Sequence, residues 1–164
     1  CKNEAHVSAE ILYITANALS SQSIYPLSNF YLNLAKFLNE DFHSYDTLLA
    51  ENFYKIENFK EAKKIYNSFS KKGEAYSWYS AKQLARIYLQ EEEKEKAIKI
   101  ISDTYDNLIN KEIYETFDYA EFLKNNEKFK ESIKFYSEII SKVKNNHSLY
   151  AEATDGRGIA YERI

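Results

Sequence analysis

One short segment returns along this chain at a fixed interval, and that recurrence limits the fold more than any other feature of its 164 residues. Asn58-Phe59-Lys60-Glu61-Ala62 comes back as Glu93-Lys94-Glu95-Lys96-Ala97 and again as Lys128-Phe129-Lys130-Glu131-Ser132. Ala62, Ala97 and Ser132 therefore stand 35 residues apart. Twelve positions before each is a second small residue, Ala50, Ala85 or Ala120, and four after each is a large one, Tyr66, Ile101 or Tyr136. A period of this length marks a repeat architecture, in which each unit is one supersecondary element that cannot bury its own apolar face and stacks on its neighbours.

Within a unit the apolar residues follow helical spacing. Leu49, Ala50 and Phe53 form one stripe, and Phe59, Ala62, Tyr66 and Phe69 form the next. Separations of three, four and seven place such residues on one helical face. The pattern predicts two amphipathic helices per unit, joined by polar turns near Glu57-Asn58, Glu91-Glu93 and Asn125-Glu127. Small residues at two fixed places let helix axes approach to about 8–10 Å. Ala16, Leu19, Ser28, Leu32 and Ala35 place an earlier unit in the same register, with Pro26 where a helix start tolerates it. A last half unit is expected after His147, with Gly158 in the small-residue slot and Tyr161 three further on. The units run 9–42, 43–77, 78–112, 113–147 and 148–164.

Composition removes the alternatives. Three Gly and one Pro are too few to turn many short strands, which argues against a sandwich or barrel. The single Cys has no partner in the chain, so a disulfide framework and a cysteine-rich metal site are both excluded. A net charge of −3, with both signs interspersed, gives no electrostatic reason to expect nucleic acid. The most apolar early stretch, Ile11 to Leu19, is interrupted by Thr15 and Asn17 and falls short of the ~20 residues that span a bilayer. Membrane insertion is not expected. Cys1 in place of Met, and a final Ile164 inside a helical pattern, are expected to reflect excision from a longer array rather than an acylated terminus.

A helix pair of about 34 residues, with Ala or Gly in the first helix and Ala in the second, resembles the tetratricopeptide (TPR) repeat. The matching residues are Leu49, Ala50, Phe53, Phe59, Ala62 and Tyr66, then Leu84, Ala85, Tyr88, Ala97 and Ile101, then Ala120, Phe129, Ser132 and Tyr136, and finally Gly158 and Tyr161. The early Trp slot departs from the family, holding Asp46, Ala81 and Thr116, and the repeat-closing Pro is missing. The ending, Tyr150 to Arg163, is similar to one unit of large bacterial TPR proteins, many of them exported, which tilts the expected compartment toward the cell envelope. The resemblance implies an all-α, right-handed solenoid of antiparallel helix pairs whose first helices line a concave groove for a partner's peptide or helix. It implies no catalysis and no cofactor.

The register puts Tyr13 and Asn17 of the first unit and Thr47, Glu51 and Tyr54 of the second on that groove. The third unit adds Tyr79, Lys82 and Arg86, and the fourth adds Tyr114, Phe117, Glu121 and Lys124. Aromatic residues and Arg are the types that carry binding energy at interfaces, and Tyr79, Lys82 and Arg86 are expected to lead, the two cations pairing with partner carboxylates. The family's clamp for a chaperone's terminal carboxylate is not formed: Lys82 and Arg86 are followed by Asp118, then by Glu152 and Gly156. His6, His43 and His147 are isolated, and metal or acid–base roles need convergent groups. Gly156-Arg157-Gly158 lacks the Gly-Lys-Ser/Thr of a phosphate loop. The run Glu91 to Lys96 reads as a solvated helix start. The expected function is a non-catalytic protein-interaction scaffold. The alternative is self-assembly of a larger envelope protein, with homo-dimers formed through Ile159, Ala160 and Ile164 at the open C-terminal end.

Overall fold

The computed structural model describes residues 4–164, so Cys1 lies outside the described residues. Those residues form nine α-helices and no strand: α1 (Glu4–Ser21), α2 (Tyr25–Leu38), α3 (Ser44–Lys55), α4 (Phe59–Phe69), α5 (Glu74–Gln90), α6 (Lys94–Asp106), α7 (Ile113–Asn125), α8 (Phe129–Lys142) and α9 (Ser148–Tyr161). The chain divides into two compact units, Cys1–Tyr76 and Ser77–Ile164. The first holds α1–α4, and the second holds most of α5 together with α6–α9.

The recurring small residues sit where the helices meet. Ala16, Ala50, Ala85 and Ala120 on the first helices, and Ser28, Ala62, Ala97 and Ser132 on the second, are all fully or almost fully buried. Leu32, Tyr66, Ile101 and Tyr136, four positions after the second set, are equally buried and fill the space beside the close contacts. In the first unit the core gathers Ala9, Ala16, Leu32, Ala35, Tyr45 and Leu49. In the second it gathers Trp78, Ala81, Ala97, Ile101, Tyr105 and Tyr119, with a further cluster of Ala120, Tyr136, Ile139, Leu149 and Ala153. The atypical Trp slots are buried too: Asp46 takes the ammonium of Lys36 at 2.5 Å, and Thr116 accepts from the Tyr105 hydroxyl at 3.0 Å.

Two expectations at the C-terminal end change. The small slot of α9 is Gly156, not Gly158: Gly156 is buried, and a Cβ there would lie 2.6 Å from the Tyr136 ring, whereas one on Gly158 would meet nothing within 4 Å. The connection between α8 and α9 shifts the register, so a fixed step from Ala120 does not find the slot. Ala160 is fully buried, which removes it from the open face expected at this end. His147 is not an idle loop residue, because its Nδ1 accepts from the Leu149 amide at 3.1 Å and caps α9.

Each first helix that leads into a second helix stops in the same way. Ser23, Glu57, Glu92 and Glu127 have φ of 63°, 58°, 62° and 67°, in the left-handed region. In each case the following amide bonds back to the carbonyl five residues earlier, as in Asn58→Phe53 and Glu93→Tyr88, both 2.8 Å. The left-handed residue's own amide bonds three back, as in Glu57→Tyr54 at 3.0 Å, completing a Schellman closure. Glycine normally takes this position, since a Cβ is disfavoured there. The carboxylates offset part of that cost by standing just before the next helix's N-terminus. Glu57→Gly and Glu92→Gly are each expected to raise stability by about 0.5–1 kcal/mol, read as a higher urea midpoint with an unchanged slope.

Candidate functional site

In the first unit the groove candidates are occupied locally. The Tyr13 ring packs against Phe42 at 5.5 Å and Tyr45 at 5.4 Å, which makes it part of the core edge. The Thr47 hydroxyl donates to the Ser44 carbonyl at 2.9 Å. Glu51 lies 3.7 Å from Lys55, and the Tyr54 ring is 5.7 Å from Phe59. Asn17 is exposed on α1.

In the second unit α5 and α7 bring candidates together. Lys82 reaches Asp118 at 2.5 Å and lies 5.9 Å above the Trp78 ring. The cation expected to await a partner's carboxylate thus already has one, supplied by the next first helix. Both side chains are about 40% exposed (40% and 41%), so the pair is worth only ~0–1 kcal/mol and an incoming charged group can exchange with it. Around this pair Trp78, Lys82, Ile101, Asp118, Glu121, Phe122 and Asn125 line a cleft of about 240 Å³. Tyr79 and Arg86 are half-buried on α5, one position and four positions from residues of that cleft. Tyr114 is exposed at the start of α7, its ring 6.2 Å from His147.

Glu121 and Lys124 form a second charged group on α7, at 2.7 and 2.9 Å. The Tyr136 hydroxyl donates to the same Glu121 carboxylate, and Phe117 meets the Tyr136 ring edge-on at 6.2 Å. Phe117 and Glu121 therefore help to seat the buried Tyr136 as well as facing outward. Trp78, Asp118, Phe122 and Asn125 were not among the expected groove residues. Their signal is the four-residue step that joins Trp78 to Lys82, Asp118 to Phe122 and Glu121 to Asn125 across one helical face.

Four tyrosines titrate above the ordinary phenol range. Burial is the largest cause for Tyr45, Tyr105, Tyr119 and Tyr136, and for Tyr136 the bond to Glu121 and its negative charge push the same way. A raised folded-state value stabilises the fold below the unfolded phenol pKa of about 10, and that contribution is lost as pH climbs through the folded value. Alkaline titration is expected to show these four among the 15 tyrosines ionising only together with loss of helical circular dichroism. A tyrosinate absorbance curve overlaid on ellipticity checks it.

No group of three or more His, Cys, Asp or Glu that could hold a metal ion occurs among the described residues. No helix among them is long and apolar enough to cross a membrane. By sequence, neither a family model nor a curated protein matches the chain. Solved structures do. One described as YrrB, a TPR protein with an unusual peptide-binding site, superposes with a TM-score of 0.54 at 16% identity, over 92% of this chain and 75% of that one. The TPR-like repeats of a kinesin light chain from Podosopora anserina superpose with a TM-score of 0.65 at 10% identity, over 99% and 89%. The fold is that of tetratricopeptide repeats. Its TPR register is the one carried by the eight buried small residues, from Ala16 to Ser132.

Proposed function

We propose that this TPR-fold chain is a non-catalytic scaffold that holds a partner polypeptide along the exposed faces of its first helices. The observation that supports the reading best is the α5–α7 cleft, where an aromatic floor of Trp78 and Phe122 lies beside the exchangeable Lys82–Asp118 pair. Aromatic area supplies the apolar part of recognition, and alternating charge selects a complementary partner. Tyr79 and Arg86 extend the surface along α5, and Tyr114, Glu121 and Lys124 extend it along α7. The peptide-binding site named for YrrB, a protein of the same fold, agrees with this use of the architecture. A contribution from Tyr13, Asn17, Thr47, Glu51 and Tyr54 of the first unit belongs to the same proposal.

The test is affinity capture from extract of the source cells, comparing the chain with a Tyr79→Ala/Arg86→Ala variant of unchanged helical content. A protein retained by the parent and lost by the variant supports the scaffold. Identical retention by both, or none by either, overturns the groove assignment.

A further inference from the structure

The first helix pair carries no charge from Ile11 to Ala35, in a chain where 29% of residues are charged. The hairpin that contains it does not hide its apolar side chains. Val7, Ile11 and Ile14 on α1, with Leu27, Phe30, Leu34 and Phe37 on α2, are between 39% and 79% exposed.

The repeat register shows how unusual this face is. Leu27, Phe30, Leu34 and Phe37 correspond to Glu61, Lys64 and Ser68 of α4 and Lys71 just after it, and to Glu131, Lys134, Glu138 and Ser141 of α8. Where the other second helices present charges and hydroxyls to water, α2 presents two phenylalanines and two leucines. A further repeat stacked ahead of α1 would not account for it. Such a repeat would cover Ile11, because its counterpart Tyr45 in α3 is buried by the pair before it. It would leave the α2 row open, since Lys64, Ser68 and Lys71 stay exposed although α1 and α2 precede them.

We propose that this face is the interface of a homodimer, with the α2 row of one copy packed on the α2 row of a second. Several observations select a second copy. The four side chains of the α2 row expose on the order of 500 Å² of largely apolar surface, about 1,000 Å² over two copies, the size at which specific interfaces begin. A two-fold contact sets each patch against itself, which an uncharged patch allows without repulsion and a charged one does not. A lipid surface fits less well, because interfacial helices carry Lys and Arg for the headgroups. The hairpin's only Lys, Lys36, is instead engaged by Asp46 at 2.5 Å.

The test is the mass of the intact chain in solution by sedimentation equilibrium, from about 1 to 100 μM, a range that reaches small interfaces as well as standard ones. The expected result is a plateau at twice the 19.3 kDa chain mass. Phe30→Lys/Phe37→Lys places in α2 the lysines that stand at the same register in the second repeat, and because Lys is a good helix former the variant is expected to keep its helical content and to sediment as a monomer. Lys64→Glu, on the matching face of α4, is expected to leave the dimer intact. A parent that stays at 19.3 kDa throughout, a mass that climbs without a plateau, or a double variant that remains dimeric overturns the proposal. A monomeric parent that cosediments with phosphatidylcholine vesicles assigns the face to lipid and overturns it equally.

Discussion

Alanine at Gly156 destabilises the protein by about 1–3 kcal/mol, while alanine at Gly158 stabilises it by about 0.5–1 kcal/mol. In an ordinary helix both changes would help, because glycine gives up more backbone freedom on folding than alanine. At Gly158 nothing opposes that gain, since a new Cβ meets open space. At Gly156 the Cβ would stand 2.6 and 2.8 Å from ring carbons of Tyr136 and 2.8 Å from its hydroxyl oxygen. The ring cannot retreat cheaply: it is fully buried, its hydroxyl is held by Glu121, and Phe117 packs against it. Overpacking against a side chain fixed at both ends therefore outweighs the propensity gain. Thermal or urea unfolding of the two single variants checks it, and a common sign for both would refute the placement of α9 against Tyr136.

Asn52→Ile costs about 3 kcal/mol even though isoleucine is the residue that α5 carries at the same register, Ile87, fully buried. Asn52 is fully buried and closes a network between α1, α2 and α3. Its amide nitrogen donates to Ser28 Oγ and Asn29 Oδ1, both at 2.8 Å, and its oxygen accepts from the Ser20 hydroxyl at 2.6 Å. Ser28 in turn donates to the Ala16 carbonyl at 2.7 Å. Removing Asn52 leaves the buried Asn29 oxygen without its donor and strips Ser28 of one bond, and an unsatisfied buried polar group costs about 1–3 kcal/mol. At the junction of α6 and α7 the three matching positions are Ala97, Ile98 and Phe122. A network is acceptable complete or absent, and half of one is worse than either. The triple variant Asn52→Ile/Ser28→Ala/Asn29→Ile is thus expected to recover much of the loss, and a double-mutant cycle on urea midpoints measures the coupling.

The repeat unit was legible because packing imposes it locally. A small residue at the helix crossing and a large one a turn later are steric demands that recur at a fixed step, and all eight small positions proved buried. Where a loop changed length the step failed, which is why Gly158 stood in for Gly156. The left-handed Glu57, Glu92 and Glu127 were hidden because glutamate carries no turn signal, and only the backbone reveals their φ. The Lys82–Asp118 pair joins two repeats, and no single-helix pattern shows which face of α7 meets α5. The apolar face of α2 was in plain view in the composition, but it becomes unusual only when Phe30 and Phe37 are set beside Lys64 and Lys71 in the repeat register.

The proposed partner lies across α5 and α7, and Trp78 offers the most direct test of that placement. It is the one tryptophan of the chain and it lines the cleft between Lys82 and Phe122. A nitrogen-15 correlation spectrum therefore contains a single indole N–H signal. Titrating the captured partner is expected to move that signal together with backbone amides of 78–86 and 114–125. A saturating partner that leaves the indole and both helices unmoved, while shifting amides elsewhere, would contradict the account.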